Sequence, residues 1–271
     1  MKKTLALLVL MLGLSAYAQE NVSDGSVGIL STLKSANIGL SLSNELKSST
    51  SKTQIDGFYN KLEGFMTYKP TSVDTFKLGV GYNAINANVN DQTAKYNFES
   101  PSFRYKRSNI LVQDNNGVKF DSEARVYYYP DYMQTTKFMT GNTSWRNTFT
   151  RTFTPDYKLV TELRWDEYFR TNATNKLARR RLMLTADPVV ALSETVTLTP
   201  EVSLNSTMAG TNTVNKEFVV FKPMVDYAFN KSFATQAYWE TTPMVSRDGK
   251  LLAKDFAPKG ILGLVLTYTI L

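Results

Sequence analysis

Apolar and polar residues alternate with a period of two through most of the chain after residue 34. The clearest case is the segment 260–271. One face of that segment would carry Leu262, Leu264, Leu266, Tyr268 and Ile270, and the other Gly263, Val265, Thr267 and Thr269. A period of two is the signature of a β-strand, in which successive side chains point to opposite faces. The pattern predicts a chain built almost entirely of strands, each with one apolar face.

Polar stretches and proline turns interrupt the alternation and divide it into about twelve strands. Short breaks lie near residues 69–74, 130–131, 154–156, 193–195 and 230–232, and longer polar ones near 47–53, 85–93, 169–176, 208–216 and 243–259. Short and long connections therefore tend to alternate, which is typical of antiparallel up-and-down barrels in bacterial membranes. The connection 109–117 departs from that tendency. Since proline lacks a ladder donor, Pro101, Pro188 and Pro200 predict local bulges.

The seventh strand shows best what the two faces contact. Its apolar row holds Tyr157, Leu159, Leu163 and Trp165, whereas Lys158, Glu162, Arg164 and Asp166 share the opposite face. A soluble sandwich could bury the first row but would not need charges opposite it on nearly every strand. The pattern favours hydrocarbon outside and water inside, so we predict an all-β fold: a transmembrane antiparallel up-and-down β-barrel of about 12 strands.

The N-terminal residues predict export. Two lysines precede an apolar run from Leu5 to Leu14, and Ala16-Tyr17-Ala18 forms a cleavage site, which together predict a secretory signal peptide over residues 1–18. The apolar run is shorter than the roughly 20 residues that span a bilayer. Residues 19–34 are expected to be a periplasmic lead-in or a short strand, and residues 35–271 the barrel.

The final segment, GILGLVLTYTIL, resembles the closing strand of Gram-negative outer-membrane barrels, although members of that family usually end in Phe or Trp and this chain ends in Ile270 and Leu271. The resemblance implies an outer-membrane location and recognition by the barrel assembly machinery. Outer-membrane lipid and lipopolysaccharide are then the expected surroundings.

The composition excludes several kinds of chemistry. The chain has no cysteine and no histidine, so disulfides, thiolate metal sites and Ser-His or Cys-His catalysis are ruled out. Outer-membrane phospholipases, lipid A deacylases and omptin-type proteases all resemble one another in using a catalytic histidine. We expect no enzyme, catalytic residue, metal or cofactor, although carboxylate-only catalysis survives in principle. The formal charge of +7 falls to +5 without Lys2 and Lys3, which does not suggest a nucleic-acid partner.

The charges on the polar faces are the candidate functional residues. The predicted pore-lining set is Lys119, Glu123, Arg125, Arg146, Lys158, Glu162, Arg164, Asp166, Arg181, Lys222, Asp226 and Glu240. In a wet lumen their mixed signs predict a weak preference for anions. The alternative is that they pair and plug the lumen, as in barrels of roughly 8 strands. Within Arg179-Arg180-Arg181, Arg180 must point away from its neighbours, where it would contact lipopolysaccharide phosphates or end a solvated loop.

Arg125 with Tyr127 and Tyr129, and Arg164 with Asp166, resemble the arginine-studded walls of oligosaccharide and acidic-sugar porins, which have twelve strands. The resemblance implies an outer-membrane channel for passive diffusion of small hydrophilic solutes, anions or oligosaccharides among them. The alternative function is a structural or adhesive barrel that acts through its external loops.

Overall fold

The computed structural model describes residues 36–49, 57–86, 95–129, 139–170, 178–208, 214–247, 250–253 and 260–270. The predicted signal peptide over 1–18 and the lead-in over 19–34 lie outside these ranges. Among the described residues, no helix has both the length and the apolar character needed to cross a membrane.

The structure consists of strands and one short helix. The strands are β1 (Ala36–Ser49), β2 (Gly57–Tyr68), β3 (Asp74–Asn86), β4 (Lys95–Leu111), β5 (Lys119–Tyr128), β6 (Met139–Thr154), β7 (Tyr157–Arg170), β8 (Arg180–Ala191), β9 (Val196–Met208), β10 (Val214–Ala228), β11 (Phe233–Arg247), β12 (Lys250–Ala253) and β13 (Ile261–Ile270). The helix α1 (Gln113–Asn116) lies between β4 and β5.

The strands form one closed antiparallel barrel with twelve strand positions, as predicted. Each of β1 to β11 pairs with the next, and β13 pairs with both β11 and β1. The short strand β12 pairs with the far end of β11, from Met244 to Arg247, and β13 pairs with the near end, from Phe233 to Glu240. The two therefore lie along the same edge of β11 and share the twelfth position.

The connections differ between the two ends of the barrel. At one end, which we call the short-turn end, the turns 69–73, 155–156, 192–195 and 229–232 are short. Side chains close these turns; Asn230 Oδ1, for example, accepts hydrogen bonds from the backbone N–H groups of Ser232 and Phe233. The longer connection expected at 109–117 lies at this end and contains α1, which ends at Gly117 with φ of 69°. At the other end, which we call the long-loop end, every connection includes residues outside the described ranges.

The predicted alternation is confirmed along the strands. On β7, Leu163 and Trp165 are 39% and 37% exposed on the outer face, while Asp166 is fully buried on the inner face. The outer face elsewhere carries exposed leucines, valines and aromatic rings, such as Leu184, Val202 and Leu264. The inner face carries buried polar groups, such as Asn142, Ser144 and Ser203.

One of the three predicted proline bulges is present. The register between β3 and β4 shifts between Gly79 and Gly81, opposite Pro101, which confirms the bulge there. The bulges predicted at Pro188 and Pro200 are wrong, because the pairs Ala186 with Val202 and Val190 with Leu198 keep one register across them. Pro200 lies directly opposite Pro223, within the part of the ladder with β10, from Lys216 to Tyr227, that keeps one register. A missing N–H donor therefore interrupts hydrogen bonds here without inserting a residue.

The closure between β1 and β13 is held by a tyrosine that lies over a glycine. Tyr238 on β11 pairs with Gly263 on β13, and its ring occupies the space where a Cβ of residue 263 would stand. Its hydroxyl donates to Glu45 Oε1 on β1 at 2.7 Å, so one side chain spans three strands. On the other side of β1, the Phe65 ring lies over Gly39 in the same manner. Glycine is required at both positions because a methyl group would displace the ring.

We predict that Gly263→Ala lowers the free energy of unfolding by about 1–3 kcal/mol, because the added methyl group displaces Tyr238 and breaks its partly buried hydrogen bond with Glu45. Urea unfolding in lipid vesicles, followed by tryptophan fluorescence, measures the loss. The control is the double variant Gly263→Ala with Tyr238→Ala, whose loss should be smaller than the sum of the two single losses. Additive losses would contradict the contact.

Candidate functional site

All twelve residues predicted to line a pore lie on described strands, on the inner face. They are distributed as Lys119, Glu123 and Arg125 on β5, Arg146 on β6, Lys158, Glu162, Arg164 and Asp166 on β7, Arg181 on β8, Lys222 and Asp226 on β10, and Glu240 on β11. Lys119, Lys158 and Asp226 lie near strand ends at the short-turn end of the barrel, away from the others. Whether the set lines a conducting pore stays a prediction.

Asp166 is the centre of the most tightly bonded group on the inner wall. It is fully buried, and its two carboxylate oxygens accept from Arg164 Nε at 2.7 Å and from Arg181 Nε at 3.0 Å. Arg181 Nη2 lies 2.8 Å from the same carboxylate. A buried carboxylate is tolerated only when it is paired and hydrogen-bonded, and here two guanidinium groups fulfil both conditions. The single carboxylate also holds two cations on neighbouring strands close together.

Basic side chains continue from this group across neighbouring strands. On the inner face Lys77 lies opposite Arg104, Arg104 opposite Arg125, and Arg146 opposite Arg164. With Arg181 on β8, these residues form a basic row across the six neighbouring strands β3 to β8. We define the basic row as Lys77, Arg104, Arg125, Arg146, Arg164 and Arg181. Like charges placed directly across a ladder are destabilising, so the row needs water or counter-charges beside it.

The members of the basic row differ in how far their charge is neutralised. Arg125 is hydrogen-bonded to Glu123, and Arg104 Nη2 lies 3.8 Å from Glu63. Arg146 forms no ion pair with any described residue, and its Nε reaches only Ser144 Oγ at 3.5 Å. Arg146 is therefore the arginine of this wall whose charge no ion pair neutralises, and Glu162 acts on it only from beyond ion-pair distance.

Acidic side chains occupy the neighbouring part of the inner wall. The register of β8 and β9 places Asp187 next to Glu201, and Glu201 lies opposite Lys222 on β10. Asp187 Oδ1 and Thr185 Oγ1 are buried and have no hydrogen-bond partner among the described residues. Asp187 and Glu201 therefore lie side by side on β8 and β9, whereas Glu123 and Asp166 are paired with arginines of the basic row.

Tyrosines accompany the basic row towards the long-loop end. Arg125 Nη1 donates to the Tyr127 hydroxyl at 3.3 Å, and the Tyr129 hydroxyl donates to Asn142 Oδ1 at 2.7 Å. Tyr168, whose hydroxyl lies 3.5 Å from Asp166 Oδ2, belongs to the same group. Tyr168 directly precedes the polar break predicted at 169–176 and was not among the predicted site residues. The strand extends to Arg170, but Asp166-Glu167-Tyr168-Phe169-Arg170 places polar and aromatic residues on both faces, so no alternation marked its last residues.

Arg180 lies on the outer face, as its position between Arg179 and Arg181 predicted. Its Nη2 lies 3.4 Å from Glu167 Oε1, also on the outer face, whereas Arg181 turns inward to Asp166. A cavity of about 290 Å³ adjoins the pair and is lined by Glu167, Tyr168, Phe169, Arg170, Arg179 and Arg180. Contact of Arg180 with lipopolysaccharide phosphate would have to compete with Glu167 and stays a prediction.

No metal site is formed by the side chains in the described ranges, where no three or more Asp, Glu, His or Cys residues are placed to hold a metal ion.

The barrel is similar to solved outer-membrane channels. The NanC porin superposes with a TM-score of 0.54 at 7% sequence identity, covering 86% of this chain and all of the porin. An outer-membrane channel from Pseudomonas putida F1 superposes with a TM-score of 0.50 at 12% identity, covering 92% of this chain and all of the channel. No protein-family model and no curated protein matches the sequence. At such identities the likeness shows the fold, which is that of a porin-like outer-membrane β-barrel.

Replacing the central carboxylate tests the group around it. We predict that Asp166→Asn lowers the free energy of unfolding by about 1–3 kcal/mol, because Arg164 and Arg181 lose their shared counter-charge. Glu167→Gln is the matched control: it removes the neighbouring acid, whose pair with Arg180 is more exposed and should contribute at most about 1 kcal/mol. Unfolding of both variants in urea measures the difference, and equal losses would contradict a special role for Asp166.

Proposed function

We propose that this protein is a channel in the bacterial outer membrane, through which small hydrophilic solutes diffuse passively and anions pass in preference to cations. The observation that carries the proposal is the basic row on the inner wall, with Arg146 unpaired among the described residues. Repulsion between Arg146 and Arg164 costs stability unless water or an anion lies beside them. A passing anion lowers that repulsion, so the row would concentrate anions in the lumen.

The size of the barrel supports a water-filled lumen. Side chains fill the interior of a barrel of roughly 8 strands, and the diameter grows with strand number. This barrel has twelve strand positions, so its inner wall encloses more space than side chains of similar size would fill. Charged groups on the inner face also favour water, because an ionised side chain in a dry interior is strongly destabilising.

The finer assignment, to acidic oligosaccharides, rests on the tyrosines beside the basic row. A sugar acid needs a cation for its carboxylate and hydrogen-bonding partners for its hydroxyl groups. Arg125 with Tyr127 and Arg164 with Tyr168 bring both kinds of group onto one wall. We include this solute class in the proposal, together with contact of Arg180 with lipopolysaccharide and delivery by the barrel assembly machinery. We assign no enzymatic role, since the histidine-dependent mechanisms have no residue to perform them.

The second candidate is a structural or adhesive barrel that acts through its external loops. The ion pairs inside the barrel favour it, because Glu63 with Lys61, Glu123 with Arg125 and Asp121 with Lys106 neutralise one another in place. Paired side chains that extend far enough into the lumen would close it.

Planar bilayer recordings separate the two candidates. Purified, folded protein should give ohmic single-channel steps, and the reversal potential in a salt gradient should have the sign of a weak anion preference, because the basic row exceeds its acidic partners. Silence in folded protein would favour the structural barrel. Cation preference would contradict the role given to the basic row.

Replacing one arginine of the basic row tests whether the inner wall sets the anion preference. Arg146→Gln should move the reversal potential towards that of an unselective pore, since the variant removes a charge that forms no ion pair with any described residue. Arg180→Gln is the control: it removes the same charge from the outer face and should leave the reversal potential unchanged. Equal shifts in the two variants would show that net charge, rather than the inner wall, sets the selectivity.

A further inference from the structure

Two acidic side chains on the inner wall lie side by side, and neither forms an ion pair with a described residue. We define the acidic pair as Asp187 on β8 and Glu201 on β9, which the ladder register places next to each other. Both lie inside the barrel rather than at its rim, because four residues of strand separate Asp187 from the turn 192–195 and five separate Glu201 from it. Like charges placed directly across a ladder repel, so a cation beside the acidic pair would stabilise it.

The basic side chains nearby do not pair with the acidic pair. Lys222 on β10 lies opposite Glu201, but its Nζ is 4.2 Å from the centroid of the Tyr238 ring and forms no ion pair with a described residue. Lys158 on β7 lies across the ladder and two residues along from Asp187, and it forms no such pair either. Lys222 acts on Glu201 only from beyond ion-pair distance, and the two carboxylates stay open to another cation.

A buried hydroxyl beside the acidic pair is an independent sign of a missing ligand. Thr185 lies two residues from Asp187 on the same face of β8, so both side chains point into the same part of the lumen. Thr185 is 5% exposed, and neither its Oγ1 nor Asp187 Oδ1 has a hydrogen-bond partner among the described residues, although both atoms are buried. Buried polar atoms are nearly always hydrogen-bonded. Since an ionised carboxylate can only accept, the group missing beside Asp187 is a hydrogen-bond donor.

We propose that the acidic pair and Thr185 bind the primary ammonium group of a solute in the lumen. A primary ammonium carries one positive charge and three N–H donors, which match two carboxylates and one hydroxyl oxygen. Water would supply donors but no charge, and calcium and magnesium ions prefer six or more oxygen ligands. Access of the solute to the site rests on the proposed channel, because the acidic pair faces the lumen.

The acidic pair can hold a cation although the basic row lies on the same wall. Arg181, the member of the row on β8, is six residues from Asp187, which is roughly 20 Å along the strand. Charges exposed to water are largely screened beyond about 8 Å at physiological ionic strength. Arg164 and Arg181 also share the Asp166 carboxylate, which lowers their effect on a cation further along the wall. A barrel with an overall preference for anions therefore retains a place for an ammonium group.

Saturation-transfer NMR of the purified, folded protein in detergent tests the binding directly. The probe is ethanolamine, and choline is the matched control ligand, because choline keeps the charge and the hydroxyethyl chain but has no N–H donor. Glu201→Gln and Thr185→Val should each raise the dissociation constant of ethanolamine about tenfold, as expected for one lost charge-assisted hydrogen bond. Glu63→Gln is the control variant: it removes a carboxylate of the same wall that Lys61 and Arg104 already neutralise, and should leave the constant unchanged.

Three results would overturn the ammonium site. Choline that binds as tightly as ethanolamine would show that the wall recognises charge alone. Equal weakening of ethanolamine binding in Glu201→Gln and Glu63→Gln would show that the acidic pair is not where the cation lies. Absence of ethanolamine binding to the natural chain would show that water or a proton suffices for the two carboxylates. None of these measurements depends on conductance, so a protein that binds ethanolamine but carries no current would refute the proposed channel and keep the site.

Discussion

The structure depends on one constraint: a backbone that crosses hydrocarbon must satisfy every N–H and C=O group within the protein. A sheet of strands meets that constraint only when its two edges pair with each other. Here the edges are β1 and β13, which pair over ten residues from Leu40 with Ile270 to Ser49 with Ile261. The Tyr238 ring over Gly263 and the Phe65 ring over Gly39 lie on either side of this closure. Close approach of backbone and ring therefore occurs where the barrel joins its ends.

Closure forces the two faces of every strand into different surroundings, and the chemistry of the protein follows from that separation. The outer face can present leucine and aromatic rings without cost because lipid covers them. The inner face collects the charges, and within it the ladder register decides which charges meet. Arg164 and Arg181 are held together by Asp166, whereas Arg146 lies opposite Arg164 and forms no ion pair with a described residue. A water-filled interior is the setting in which such an arrangement is least unfavourable.

Period-two alternation predicted the barrel, the antiparallel order and the inner face of the twelve candidate residues, because every side chain on a regular strand has its orientation set by parity alone. The prolines were harder to interpret from sequence. Pro101 accompanies a bulge while Pro188 and Pro200 do not, since a proline only removes a donor and the neighbouring strands decide whether an extra residue is inserted. The short strand β12 was assigned to the loop 243–259, because four residues are too few to show a period. Pairing partners such as Tyr238 with Glu45 join residues far apart in the chain, and no local pattern could indicate them.

The departures from alternation contain information of their own. A regular outer row on β6 would place an apolar residue at position 147, as β7, β8 and β9 do at the facing positions. The inner faces of β5, β6 and β7 carry Arg125, Arg146 and Arg164, and on the outer face of β5 and β6 Ser122, Trp145 and Asn147 are hydrogen-bonded to one another. Strands that hold repelling charges inside would gain from support on their outer side, because repulsion across a ladder tends to separate neighbouring strands. The hydrogen bonds of Ser122 with Asn147 and Trp145 join β5 to β6 on that outer side, and so oppose the separation.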